Sequence, residues 1–237
     1  MKKVTTAFIL GAGLGTRLKP LTDACPKPLL PVCGRPMITY VFEHLARAGI
    51  RRFIINTHHC AAVYAAAFPD NTWHGLPLVL RHEPLLLGTA GGLKNVEDLL
   101  GDETILLHSG DVLSDLPIDA LLDFHRAHDS EISLALRTRP GIETVGIDPD
   151  GRIGDVGRFA SRSDLAYHDY ANVAVIEPAF LRRIPDSNPR GLAAIWSQMA
   201  REHGPLFGMP LNQGYWFNVG TLEEYERLNS GEEFPPL

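Results

Sequence analysis

The stretch Leu10–Pro36 reads LGAGLGTRLKPLTDACPKPLLPVCGRP and follows an apolar run, Thr5 to Leu10. That run is too short to span a membrane and suits a buried strand. Gly11, Gly13 and Gly15 leave backbone N–H groups free to turn around an anion, and Arg17 and Lys27 place charge on either side. Pro20, Pro26, Pro28, Pro31 and Pro36 restrict the loop and hold Lys27 at a defined distance from the glycines. The segment reads as a cradle for a triphosphate. A dinucleotide fingerprint does not fit, because the third glycine comes one residue early. No carboxylate stands about 20 residues beyond the glycines, where a ribose contact belongs. A Walker loop does not fit either, since no Lys-Ser or Lys-Thr follows any of the glycines. A tight strand-to-helix turn without a ligand is the plain alternative, and the two cations weigh against it.

Around this loop, 237 residues are enough for one large α/β domain, and the chain is read as a single unit over 1–237. A nucleotide-binding half covers about 1–137, and the half about 138–237 is expected to form a lid or side wall on it. The net charge of −6 argues against general affinity for nucleic acid or an anionic membrane surface. No apolar run is long enough for a membrane span. Cys25, Cys33 and Cys60 are odd in number and show no paired spacing, so a reduced, cytoplasmic setting is expected, with neither a disulfide framework nor a zinc site.

Short apolar runs alternate with helical patterns through residue 140, the signature of βαβ units on a mostly parallel sheet. Strands are expected at Thr5–Leu10, Arg52–Asn56, Leu78–Arg81, Thr104–His108 and Ile132–Leu136. Helices are expected at Met37–Ala48, Ala61–Phe68, Ala90–Leu100 and Ile118–His128. Asp148-Pro149-Asp150-Gly151 signals a hairpin turn within Val145–Val156. Beyond it come a strand at Asn172–Ile176, helices at Ala179–Ile184 and Leu192–Glu202, a strand at Tyr215–Val219 and a helix from Leu222.

Ligands in such sheets sit beyond the carboxyl ends of the strands. Asp111, in Ser109-Gly110-Asp111, follows the strand ILLH and is a candidate ligand for Mg²⁺ bridged to phosphates, with a turn or capping aspartate as the ordinary alternative. Glu83 and the run Gly88-Thr89-Ala90-Gly91-Gly92 offer a small-residue surface for a base or ribose. In Tyr215–Thr221 a polar Asn218 ends an apolar strand and Thr221 can cap the next helix. The histidines form no recognisable ligand set, and no G-x-S-x-G elbow is present.

LGAGLGTRLKPLT, PKPLLPVCGRPMI, LGTAGGL, SGDV and NVGTLEEY together resemble, in order, the motifs of the sugar-1-phosphate nucleotidyltransferases, the nucleotide-sugar pyrophosphorylases. The resemblance implies a Rossmann-like three-layer sandwich with a mixed, mostly parallel sheet and a C-terminal sugar-binding wall. It also implies transfer from a nucleoside triphosphate to a sugar 1-phosphate, with release of pyrophosphate. Under it, Leu10, Ala12, Gly13, Gly15 and Thr16 would contact the nucleotide, and Glu83, Gly88 and Thr89 would line the base pocket. Arg17 and Lys27 would be catalytic, on the departing pyrophosphate and the α-phosphate. Asp111 would hold Mg²⁺, and Gly146, Arg158 and Asn172 would face the sugar.

The sequence departs from the family pattern at several positions. Asn-Gly-Asp is replaced by Ser109-Gly110-Asp111, and the family's Phe-x-Glu-Lys-Pro is absent, with Arg158 standing near its place. The family's second metal carboxylate is Asn218, a neutral ligand that predicts weaker metal affinity and a relative preference for Mn²⁺. UTP or GTP is the expected triphosphate, by similarity to the N-acetylmuramate 1-phosphate uridylyltransferases and mannose 1-phosphate guanylyltransferases. The competing reading is a catalytically weak relative that binds nucleotide or nucleotide sugar for regulation.

Overall fold

The computed structural model describes residues 3–139, 141–157, 162–186 and 191–230. In chain order the elements begin with β1 (Thr6–Leu10), a short ribbon of β2 (Pro31–Val32) and β3 (Arg35–Pro36), α1 (Met37–Arg47), β4 (Arg52–Thr57) and α2 (Ala61–Ala67). Then come β5 (Thr72–Trp73), β6 (Leu76–His82), α3 (Gly88–Lys94), α4 (Glu97–Leu100), β7 (Ile105–Ser109), β8 (Val112–Ser114) and α5 (Ile118–Ala127). The remainder is β9 (Ile132–Arg137), β10 (Val145–Ile147), β11 (Ile153–Val156), β12 (Ala166–Ile176), α6 (Pro178–Leu181), α7 (Leu192–Arg201), β13 (Leu206–Pro210), β14 (Trp216–Asn218) and α8 (Leu222–Asn229).

Among the described residues the main sheet has ten strands in the order β11-β10-β12-β7-β1-β4-β6-β5, with β9 added on β12 and β13 on β9. β7, β1, β4 and β6 are mutually parallel, and β12 runs antiparallel to β7. Strands of a parallel centre are covered on both faces and are apolar on both sides. In β1, Phe8 packs into a core that includes Leu93, Val96 and Trp196 from α3, its neighbouring turn and α7. Ala7 and Ile9 pack into the opposite core with Phe42, Tyr64 and Leu121 from α1, α2 and α5. The alternation of one strand thus builds a helix–sheet–helix sandwich, the architecture expected from the sequence.

Several expectations are revised. The helix expected over Ala90–Leu100 is two, Gly88–Lys94 and Glu97–Leu100. It breaks at Asn95 and Val96, both poor helix formers, where Val96 turns fully into the core. β13, which carries Gly208 and Pro210, lies outside the expected strands. Gly208 serves close packing there rather than a turn, since a Cβ on it would lie 2.5 Å from Leu136 Cδ1 on the neighbouring strand. β12 reaches back to Ala166, well before the expected start at Asn172, and is interrupted by a register shift between Tyr170 and Ala174. Asn172 sits in that irregularity with φ 63°. The hairpin forms as expected: Asp148 Oδ1 accepts the N–H groups of Asp150 and Arg152 and closes the turn.

Candidate active site

β1, β4 and β7 end at the same edge of the sheet, and the segment after each contributes to one place. Gly11, the residue after β1, donates its N–H to Asn56 Oδ1 at 2.7 Å, and its carbonyl accepts the Tyr64 hydroxyl at 3.0 Å. A Cβ on Gly11 would stand 2.8 Å from both the Asn56 carbonyl oxygen and the Tyr64 hydroxyl, so only glycine fits. Burial pushes the Tyr64 phenol far up, which keeps it a donor. The loop then folds on itself. Gly15 has φ 61°, its carbonyl accepts from Thr22 Oγ1 at 2.9 Å, and the short 3₁₀ turn Thr16–Leu18 follows. Gly13 faces open space.

Lys27 lies in a second 3₁₀ turn, Lys27–Leu29, with Pro26 before it and Pro28 within it. It is only 8% exposed, and its ammonium donates to Oδ2 of Asp111. Asp111 occupies the turn between β7 and β8. Gly110 beside it is pressed against the Leu10 carbonyl and the Pro28 ring, where a Cβ would come within 2.9 and 3.1 Å. The strand ends and the proline turn are thereby packed into direct contact, which puts cation and carboxylate together.

Leu10, Gly11, Gly13, Gly15, Thr16, Arg17, Leu18, Lys27, Pro28, Asp111 and Gly220 line a single cavity of about 220 Å³. Arg17 is exposed, and its guanidinium lies 3.3 Å from a Cβ built on Gly220. Gly220 is held there by α8: Glu224 Oε2 accepts the N–H groups of Gly220 and Thr221, while Thr221 Oγ1 accepts from Glu224 N, a reciprocal cap.

Ala12, Glu83, Gly88, Thr89, Gly146 and Asn172, also chosen from the sequence, do not line this cavity. Ala12 is buried in the loop. Glu83, expected on the base, is fully buried and does not line the cavity. One of its oxygens accepts from Asn56 Nδ2 at 2.7 Å and the other from Leu87 N at 3.1 Å. A chain Gly11–Asn56–Glu83–Leu87 therefore ties the glycine loop to the segment that opens α3. Gly88 is exposed with φ 71°, and Thr89 Oγ1 accepts from Leu192 N at 2.9 Å, joining α3 to the start of α7. Gly146 is buried and faces the Tyr167 ring, 2.9 Å from where its Cβ would stand. Arg158 lies outside the described residues.

Asn218 pairs with Val112, and Val219 N donates to the Asp111 carbonyl at 3.3 Å. Asn218 does not line the Lys27 cavity. It lines a neighbouring one of about 130 Å³ together with Arg139, Trp216, Phe217, Glu224 and Arg227. Arg139, unmarked by any sequence pattern, donates to Asp169 Oδ2 at 2.9 Å and covers the Trp216 ring at 4.9 Å. Burial pushes the Asp169 carboxyl up, against the opposing pull of Arg139. Trp216 Nε1 donates to the Ala171 carbonyl at 2.8 Å, beside the irregularity that contains Asn172.

Among the described residues no group of three or more His, Cys, Asp or Glu side chains could hold a metal by itself. A lone carboxylate, Asp111, opening into a cavity with cations fits a hard cation whose remaining ligands are phosphate oxygens and water. Among the described residues no helix is long and apolar enough to cross a membrane.

The fold and cavity define an α/β protein with an anion-receptive site at the carboxyl edge of a parallel sheet. Residues 6–146 match the nucleotidyl transferase family, and the chain belongs to it. It is 33% identical over 230 residues to a mannose-1-phosphate guanylyltransferase of Mycobacterium tuberculosis, and 31% identical over 225 residues to the catalytic subunit beta of mannose-1-phosphate guanylyltransferase of Danio rerio. These matches cover 93% and 92% of this chain, which spans 62% of the length of each relative. Its fold is shared with the UTP-bound UGPase of Acinetobacter baumannii, at a TM-score of 0.81 and 16% identity, over 97% of this chain and 93% of that one. Nucleotidyltransferases of this family generally depend on a divalent metal.

Proposed function

We propose that this chain transfers a nucleotidyl group from a nucleoside triphosphate to a sugar 1-phosphate, releasing pyrophosphate. The observation that carries the reading is the convergence of the glycine loop, Arg17, Lys27 and Asp111 on one cavity. In this reading the halves about 1–137 and 138–237 act as one domain, and the described strands of both lying in one sheet support it. GTP with mannose 1-phosphate is the first pair to test, because the relatives named above are mannose-1-phosphate guanylyltransferases, and UTP is the second.

In this reading, Leu10, Ala12, Gly13, Gly15 and Thr16 bind the triphosphate, and Gly88 and Thr89 border the base. Glu83 positions both segments from beneath. A phosphate oxygen of the sugar 1-phosphate attacks the α-phosphorus. One P–O bond forms while the bond to the β-phosphate bridging oxygen breaks, and the electron pair leaves with pyrophosphate. No protein nucleophile is needed, so catalysis is positioning and charge stabilisation. Lys27 neutralises charge gathering on the α-phosphate, and Arg17 holds the departing pyrophosphate. Asp111 would hold Mg²⁺ or Mn²⁺, and Asn218, paired with Val112 at the turn where the two cavities meet, would supply a neutral second ligand; the metal would supply charge neutralisation to the phosphates when bound. Gly146 and Asn172 border the sugar.

Pyrophosphate release, measured with UTP, GTP, CTP and dTTP against a panel of sugar 1-phosphates, tests this. Metal-dependent release with at least one pair is expected. Nucleotide binding without release for every pair would replace the proposal with the regulatory reading.

A further inference from the structure

The cavity beside the nucleotide site has charge and shape that the reading above does not use. Arg139 stands at its wall, fixed from two sides: Asp169 Oδ2 takes one N–H at 2.9 Å, and the Trp216 ring lies 4.9 Å beneath the guanidinium carbon. Trp216 is itself anchored through Nε1 to the Ala171 carbonyl at 2.8 Å. Each support comes from a different part of the chain: β12 supplies Asp169 and Ala171, and β14 supplies Trp216. A guanidinium has five N–H donors in a fixed plane, and the hydrogen bond to Asp169 occupies one of them. A bracket of this kind holds a planar cation in one orientation and lowers the entropy lost on binding an anion.

The position of the cavity suits one reactant. Asn218 and Val219 line it, the next residue, Gly220, lines the Lys27 cavity, and Val219 N donates to the Asp111 carbonyl. The two spaces therefore meet at the turn from β14 into α8. At about 130 Å³ the space is well below the ~300 Å³ of a pocket for a drug-sized ligand, a size that suits a phosphate and excludes a nucleoside.

We propose that Arg139 is the cation that receives the phosphate of the sugar 1-phosphate and presents it toward the α-phosphorus, with Asp169 and Trp216 as its positioning residues. This rests on the nucleotidyl-transfer reading and gives the sugar phosphate a cation that no sequence motif marked.

The experiment compares wild type, Arg139→Ala, Arg139→Lys and Asp169→Asn in both reaction directions, with mannose 1-phosphate and glucose 1-phosphate as probes. Arg139→Ala is expected to raise KM for the sugar 1-phosphate by about ten- to a hundredfold, the range of one lost charge-assisted hydrogen bond. KM for the triphosphate and, in reverse, for pyrophosphate should stay within about twofold. Arg139→Lys should recover part of the loss, because charge returns without the fork. A parallel rise in all three constants, or a rise confined to pyrophosphate, overturns the proposal; so does an unchanged sugar-phosphate KM in a folded variant. If wild type turns over no pair, the function reading fails separately. Titration calorimetry of the two sugar 1-phosphates into wild type and Arg139→Lys then decides the site alone: equal binding, or none to wild type, overturns it. The same titration decides if Arg139→Ala does not fold.

Discussion

The Lys27 ammonium is hydrogen-bonded to the Asp111 carboxylate across 84 residues of sequence, in a loop held by proline on one side and a strand-end turn on the other. A lysine this buried requires a counter-charge, and Asp111 supplies it. The same two groups are assigned to the α-phosphate and to the metal. Binding of a metal–triphosphate offers each a new partner of the right sign, so the pair can part without leaving either charge uncompensated.

The first consequence is energetic. A double-mutant cycle with Lys27→Ala, Asp111→Ala and the pair, followed by thermal melting without ligand, is expected to give a coupling of about 1–3 kcal/mol. The Asp111 side chain is 27% exposed, which keeps the value below that of a fully buried pair. Additive losses would show that the contact contributes nothing to the ligand-free fold.

Lys27→Ala is expected to lower kcat by about 10²- to 10³-fold with a much smaller change in triphosphate affinity, as for loss of a group that acts on developing charge. Single-turnover rates and nucleotide binding by calorimetry check the split. An effect confined to KM would make Lys27 a binding residue only.

Asn218→Asp adds a carboxylate one strand residue from the Asp111 turn. The expected result is tighter Mg²⁺ dependence and faster turnover in Mg²⁺, with a smaller gain in Mn²⁺. Rates across a metal titration measure this, and identical profiles would remove Asn218 from the metal site.

Glu83→Gln converts one acceptor into a donor that faces either Asn56 Nδ2 or Leu87 N. A cost of about 1–3 kcal/mol is expected, read in denaturant melts, because a buried donor is left without an acceptor. Triphosphate affinity should fall with it, since Asn56 also holds Gly11. Loss of stability with unchanged affinity would confine Glu83 to folding.

His108 predicts acid sensitivity. It is fully buried in β7, Nδ1 meets the Ser109 carbonyl at 2.7 Å, Nε2 has no hydrogen-bond partner among the described residues, and burial lowers its pKa to about 3. The native state resists protonation while the unfolded chain takes a proton near pH 6.5. Stability from the neutral ring is therefore complete above about pH 6.5 and lost as pH falls toward 3, by about 2 kcal/mol at pH 5. His108→Gln should flatten that part of the stability–pH curve, and an unchanged slope would assign the acid loss to other groups.

The residues of the opening loop announce their own job, because glycine, proline and fixed charge act through local backbone geometry. Gly11, Gly15, Arg17 and Lys27 were legible for that reason, and the strand–helix alternation was legible in the spacing of apolar residues. What the sequence determined alone was therefore the sandwich, the loop and the acid at the end of β7. Pairing was decided by tertiary structure. Contacts such as Lys27 with Asp111, Glu83 beneath Asn56, and Arg139 between Asp169 and Trp216 join residues far apart in the chain, and no local spacing encodes them. The same holds for β13, where Gly208 packs against Leu136 of the neighbouring strand. Burial turns a polar side chain into a binding group or a structural tie by selecting its partners, and those partners exist only once the strands have taken their places.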